Sequence, residues 1–158
     1  MLDGGTKGVM EYGNFCLVLF QELEAKYGPL DAETISSIVG FSAGGPVSLS
    51  KKGAKRLFVT CELAAYQEQK KSSEGINYEL LSIGDFSEEW CKNVFTALGN
   101  LSMNAVLGDN HTIDVSGVVE PGDTVKQVRL TLFSRTKHKG KDYGIYRVVP
   151  CLVHKTAV

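Results

Sequence analysis

This chain has no C-x-x-C pair, no long apolar run, no internal repeat, no low-complexity tract and almost no net charge. Its four cysteines, Cys16, Cys61, Cys91 and Cys151, are widely spaced. That pattern argues against a disulfide framework or a paired-cysteine metal site, and buried thiols are the expectation. One short apolar run near the N-terminus, Phe15 to Phe20, is too short to span a membrane and carries no small-residue cleavage signal. A reducing compartment, the cytoplasm, is therefore expected. A formal net charge of -1 gives no global pull towards nucleic acid or an anionic membrane, because both require accumulated positive charge.

What is present describes an ordinary folding unit. The chain has 158 residues, 43% of them hydrophobic and 22% charged. A chain of this size buries roughly 70% of the surface that its unfolded form exposes, so it needs no metal or disulfide to hold together. One globular domain over residues 1–158 is expected, with residues 1–8 as a flexible start. The basic residues cluster as Lys51, Lys52, Lys55 and Arg56, then Lys70 and Lys71, then Arg135, Lys137, Lys139 and Lys141. All three clusters fall in or beside expected turns and lack interleaved aromatics, so they are taken as solvated loops rather than a nucleic-acid surface.

Periodicity sets out the elements. Tyr12, Phe15, Cys16, Leu19, Phe20, Leu23 and Tyr27 recur at three- and four-residue steps, which predicts an amphipathic helix over Val9 to Lys26, closed by Gly28 and Pro29. Strands are expected at Thr34 to Phe41, at Arg56 to Leu63 in a central position, and at Ile76 to Ile83. The polar stretch Gln67 to Gly75 reads as a solvated connection. Ser87 as N-cap, with Glu88 and Glu89 in the first turn, starts a second helix that carries Trp90, Val94, Leu98 and Leu101 and ends near Gly99 and Asn100. After a loop-rich stretch, Leu107 to Thr124, two strands, Val125 to Ser134 and Tyr143 to Val153, form a hairpin about the polar turn Thr136 to Asp142. The fold class expected is α+β: a mixed, largely antiparallel sheet with two principal flanking helices.

Two patterns offer nucleophiles. Gly40-Phe41-Ser42-Ala43-Gly44 has the G-x-S-x-G form of a nucleophile elbow, in which small neighbours permit the strained turn that exposes the serine. Asp114 or Asp123, and His138 or His154, follow in the order a triad needs, and Ser42, Asp114 and His154 form the candidate set. Pro46 and Gly53 leave little room for the helix that should follow, and no upstream glycine motif supplies an oxyanion donor. Cys91, in the first turn of a helix, would have its thiolate favoured by the dipole, with His111 or His154 as base. It also follows Trp90 on a face expected to pack inward, as an inert thiol would.

Leu107 to Asp114 concentrates donors and acceptors, but one histidine and two carboxylates lack the further ligands of a zinc site and the spacing of a calcium loop. A turn bent by Asp109 and Asn110 and stabilised by His111 is the expectation. Gly4-Gly5-Thr6-Lys7-Gly8 lacks both the preceding strand and the spacing of a phosphate loop. No metal and no cofactor is expected.

Several landmarks from Leu30 onward stand in an ordered series: Phe58-Val59-Thr60 leading to Leu63, Tyr78-Glu79-Leu80-Leu81, Trp90 opening a helix that contains Leu98, Leu107 with Asn110-His111-Thr112-Ile113, and Tyr146 with Val148-Val149-Pro150. In order and approximate spacing they resemble the suppressor-of-fused family over about four fifths of the chain. The chain departs from the family at Asn110, where glycine is common, at Cys151, where leucine is common, and at His154-Lys155, near which an acidic residue is usual. The resemblance implies a mixed α/β domain without catalytic activity that grips another protein, in a regulatory or toxin-immunity role. The expected function is thus a non-enzymatic intracellular protein-binding module, with Asp109, His111 and Trp90 as candidate binding residues. A small serine hydrolase using Ser42 is the alternative.

Overall fold

The alternating segments assemble into one sheet, seen in a computed structural model that describes residues 21–26, 30–34, 46–51, 56–60, 63–84 and 86–151. Its strands are β1 (Leu30–Thr34), β2 (Pro46–Lys51), β3 (Arg56–Thr60), β4 (Asn77–Ile83), β5 (Thr112–Asp114), β6 (Gln127–His138) and β7 (Lys141–Pro150). They lie in the order β1-β2-β3-β4-β7-β6-β5. Every neighbouring pair is antiparallel except β4 and β7, which are parallel. A parallel pair needs a long crossover, and this one contains helix α2 (Glu88–Ser102) together with β5 and β6. Residues 21–26 form a helical stretch, α1. The fold is the expected α+β class: a mixed, largely antiparallel sheet with two flanking helices. No helix among the described residues is long and apolar enough to cross a membrane.

Each sheet face buries its own set of side chains, as strand alternation requires. On one face Phe58, Tyr78, Leu80, Tyr146, Val148, Val128 and Leu130 pack with Trp90, Cys91, Val94, Phe95 and Leu98 of α2. On the other, Leu57, Val59, Leu81, Ile83 and Ile145 are buried. Helix α1 lies on that second side: Leu23 is buried, and Glu22 accepts a hydrogen bond from Thr136, whose ladder partner Tyr143 shares a face with Ile145. Strand β3 is central, between β2 and β4, as its large residues on both faces predict.

Helix α2 begins as its sequence dictates. Ser87 adopts an extended backbone and its Oγ accepts from Trp90 N at 3.2 Å. The helix does not stop at Gly99 and Asn100 but continues to Ser102. Gly99 is buried, and Lys70 N–H donates to the Ser102 carbonyl at 2.9 Å, so a tertiary bond supports the extra turn. Among the other expectations, Thr34 ends β1 instead of opening a strand, and residues 35–45 lie outside the described set, as do 1–20. Strand β2, which includes Lys51, is not among the expected strands, whereas Arg56 opens β3 where a strand is expected. The β6–β7 ladder runs on to His138↔Lys141, so the connection is the tight turn at Lys139 and Gly140 rather than a long polar loop. Exposed Arg135 and Lys137 alternate with half-buried Thr136 and His138, the signature of a strand with one solvated side.

The connection before β4 is not simply solvated, because Gln69 and Ser72 are buried. Strand β3 pairs with β4 only at Leu81 to Ile83. Over the rest of β4, side chains replace the missing strand. Gln69 Nε2 donates to Tyr78 O at 3.0 Å while Gln69 Oε1 accepts from Tyr78 N at 3.1 Å, so one amide serves as a peptide group of a neighbouring strand. Leu80 N donates to Thr60 Oγ1 at 2.9 Å. Buried backbone groups are rarely left unpaired, and here polar side chains meet that demand.

Candidate functional site

Asp109 and His111 lie on a loop fastened to two parts of the molecule. Asn110 takes a left-handed conformation (φ 69°) that asparagine tolerates better than most residues. Beside it, Asn110 N donates to Leu130 O at 2.7 Å and Leu130 N donates to His111 O at 2.9 Å, which carries the β5 pairing further along β6. Asp109 Oδ1 adds one more rung by accepting from Leu132 N at 2.7 Å. The main chain of His111, rather than its ring, does the fastening, and the side chain is exposed.

On the other side the loop meets Ser72 to Glu74. Ser73 N donates to Leu107 O at 2.8 Å, and Asp109 N donates to Glu74 Oε1 at 3.0 Å. The same carboxylate oxygen accepts from the buried Tyr146 hydroxyl at 2.5 Å, and Ser73 Oγ donates to Oε2 at 3.1 Å. Tyr146 Oη also lies 2.8 Å from Ser72 Oγ. The Tyr146 hydrogen bond holds the Glu74 carboxyl below its ordinary value against the opposing effect of burial, assisted by Asp109 N–H, Ser73 and the nearby charge of His111. With donors on both oxygens, Glu74 is built to anchor chain segments rather than to abstract protons.

Gly108 makes this close approach possible. A Cβ there would lie 1.7 Å from Ser73 Oγ and 2.9 Å from Ser73 Cβ. The hydroxyl can rotate away but the Cβ cannot, so Gly108→Ala must part the two loops. The expected cost is about 1–3 kcal/mol. Urea denaturation together with faster hydrogen exchange at Asp109 N–H would register it; a variant as stable and as protected as the native chain would contradict this role.

Trp90 occupies a different place, in the first turn of α2. Phe86 stacks on it with ring centroids 3.5 Å apart and planes 10° from parallel, much as a residue before the N-cap staples a helix start. A cavity of about 180 Å³ opens beside the pair, lined by Phe86, Ser87, Trp90, Asp123, Thr124 and Val125. The indole Nε1 is buried and has no hydrogen-bond partner.

The structure thus brings Asp109 and His111 together. Among the described residues no hydrogen bond or ring contact joins either to Trp90. Asp114 is exposed in β5, where its Oδ1 accepts from Ser116 N at 2.8 Å; the Ser116 side-chain and backbone bonds lower its pKa. Ser42 and His154 lie outside the described residues, as do Cys16 and Cys61. Cys91, on the inward face of α2, is fully buried in the core, and Cys151 is half-buried; neither forms a disulfide. The polar residues that organise this region, Glu74, Gln69 and Ser72, sit in the stretch taken for a solvated connection. Comparison with protein-family models, with curated proteins and with solved structures found no match to this chain.

Proposed function

We propose that this domain is a non-catalytic protein-binding module that holds an extended, acidic segment of an intracellular partner against the outer edge of β6. The observation that carries the proposal is an incomplete edge. Strand β5 pairs with only Gln127 to Arg129, and the Asp109–His111 loop extends the pairing to Leu132. From residue 133 to the turn, no strand among the described residues lies on that side of β6. Alternate residues of an antiparallel strand direct their N–H and C=O groups away from the paired neighbour, where an added strand can bind them.

Charge supports the choice of partner. Arg135, Lys137, Lys139 and Lys141 are all exposed along this edge and its turn. Edge lysines discourage indiscriminate strand pairing while favouring a segment of opposite charge. The resemblance to the suppressor-of-fused family supports a gripping role of the same general kind, regulatory or of the toxin-immunity type. Against a serine elbow stands the segment that follows Gly45: residues 46–51 form a strand antiparallel to β1, whereas an elbow leads into a helix.

The test is affinity capture from native lysate with the unaltered chain and with Arg135→Glu/Lys137→Glu/Lys139→Glu. A stoichiometric partner with an acidic binding segment, held at least about tenfold less tightly by the variant and released by salt, is the expected result. Equal retention by a folded variant would overturn the edge as the docking place. Labelling by a fluorophosphonate probe that disappears in Ser42→Ala would overturn the non-catalytic assignment.

A further inference from the structure

The outer edge of β6 does more than carry positive charge, because an irregularity in it decides which backbone groups turn outward. Before residue 133 the even-numbered residues face away from β7. Leu130 N donates to His111 O, Leu130 O accepts from Asn110 N, and Leu132 N donates to Asp109 Oδ1 at 2.7 Å. Between Leu132 and Ser134 the β6–β7 register slips by one residue, as it does at a β-bulge with Phe133 as the extra residue. Beyond it the even-numbered residues therefore bond to β7, and Arg135 and Lys137 turn their N–H and C=O groups outward. The turn gives the same answer independently. Lys139 (φ 53°) and Gly140 (φ 80°) form a two-residue loop of the primed type, which closes on a hydrogen-bonded pair, His138↔Lys141. Counting back in steps of two, Thr136 and Ser134 bond to β7, and Lys137 and Arg135 do not.

Side chains follow the same alternation. Thr136 reaches Glu22 on the α1 side of the sheet, so Arg135 and Lys137 stand on the opposite side, and both are exposed. Across the β7 ladder Arg135 faces Gly144, which has no side chain, whereas Lys137 faces exposed Asp142. The Arg135 guanidinium is thus the cation with the least competition from its own chain. On the premise that an acidic extended segment docks at this edge, as proposed above, we infer that β6 selects a segment with acidic side chains at alternate positions, one opposite Arg135 and one opposite Lys137. Directly opposed residues on neighbouring strands have Cβ atoms about 4.5–5.5 Å apart, and successive residues of a strand point to opposite faces. An acid-x-acid spacing therefore puts both carboxylates beside the two cations. Adjacent acids send one carboxylate to the α1 side, where Glu22 stands. The spacing is the same for either direction of the docked strand. Asp109 takes up Leu132 N just before the bulge, so its carboxylate and the Lys139–Gly140 turn bound the stretch that a partner can pair with.

The peptides Ac-Thr-Glu-Thr-Glu-Thr-NH₂ and Ac-Thr-Glu-Glu-Thr-Thr-NH₂ share composition and charge and differ in spacing alone. Each is titrated into the ¹⁵N-labelled full chain, with amide hydrogen exchange measured before and after. In the free chain the Arg135 and Lys137 amides should exchange quickly and those of Ser134 and Thr136 slowly. The alternate-acid peptide should protect Arg135 and Lys137 and bind about fivefold more tightly than the adjacent-acid peptide. Arg135→Ala should reduce that preference more than Lys137→Ala does. Slow exchange at Arg135 and Lys137 with fast exchange at Thr136 in the free chain would put the wrong residues on the edge and overturn the inference. Equal affinities for the two peptides, both lost in Arg135→Glu/Lys137→Glu/Lys139→Glu, would overturn the spacing and keep the acidic-segment edge. Protection by neither peptide would overturn the spacing and the edge together.

Discussion

Glu79→Ala should lower stability by on the order of 3–5 kcal/mol, a large share of the roughly 5–15 kcal/mol that separates a typical domain from its unfolded state. Glu79 is fully buried in β4. Its Oε1 is bonded to Thr60 Oγ1 and accepts from Leu63 N at 3.1 Å, and its Oε2 accepts from Ala64 N at 2.9 Å. The side chain therefore holds the short 3-10 turn Leu63–Ala65 against the sheet. Removing it orphans three buried polar groups and leaves a cavity. Equilibrium urea unfolding measures the loss, and a cost below about 1 kcal/mol would mean that water or a shifted turn replaces the carboxyl.

The same residue makes stability depend on pH. Burial pushes the Glu79 carboxyl up from an ordinary 4.5 to about 8, against the pull of the Ala64 and Leu63 N–H groups. The folded state therefore holds the proton more tightly than the unfolded state. This contribution is fully present below about pH 4.5 and is lost as pH rises through about 8. Between those limits the expected slope approaches 1.4 kcal/mol per pH unit for one proton. Glu79→Gln cannot titrate, so whatever its baseline stability, its curve should be flatter across this window. Parallel curves for the native chain and Glu79→Gln would show that the carboxyl is ionised when folded.

Tyr146→Ala is the second large expected effect, about 3–5 kcal/mol, since it removes a fully buried aromatic ring. That ring meets Tyr78 edge-on at 4.9 Å between centroids and reaches Ser72 and Glu74 through its hydroxyl. Tyr146→Phe separates the two contributions. It keeps the packing and gives up the polar link, at an expected cost of about 1–3 kcal/mol. In that variant the Glu74 carboxyl should rise towards its ordinary value, because the Tyr146 hydrogen bond is the main cause that lowers it. The sign is opposite to that of Glu79: the Glu74 contribution is present above its unfolded value and lost as pH falls through the folded one. Carboxyl ¹³C titration of Glu74 checks this, and an unchanged midpoint in Tyr146→Phe would refute the link.

Much of this architecture is legible along the chain wherever one local rule decides. The N-cap at Ser87, the core stripe of α2, the apolar strands β3 and β4 and the hairpin of β6 and β7 follow from period and capping chemistry. Where local rules mislead, polar residues are the cause. Arg135, Lys137 and the Gln67 to Gly75 stretch read as loop because they are hydrophilic, yet β6 includes the first two and the core buries Gln69 and Ser72. Glu79 was open to notice, since a carboxylate inside Tyr78 to Leu81 interrupts a run that otherwise belongs in a core.

The near neutrality and scattered cysteines of this chain bear on partners and disulfides, while its helical and strand periods by themselves determined the α+β class and most element positions. Those periods arise within a few residues of one another. Only the tertiary structure decided that Gln69 completes a strand edge, that Glu74 ties Tyr146 to the Asp109 loop, and that Trp90 walls a cleft with Asp123. Each of these joins groups far apart in the chain, and a hydrogen bond or a cavity depends on the distance between atoms, which composition and periodicity do not contain.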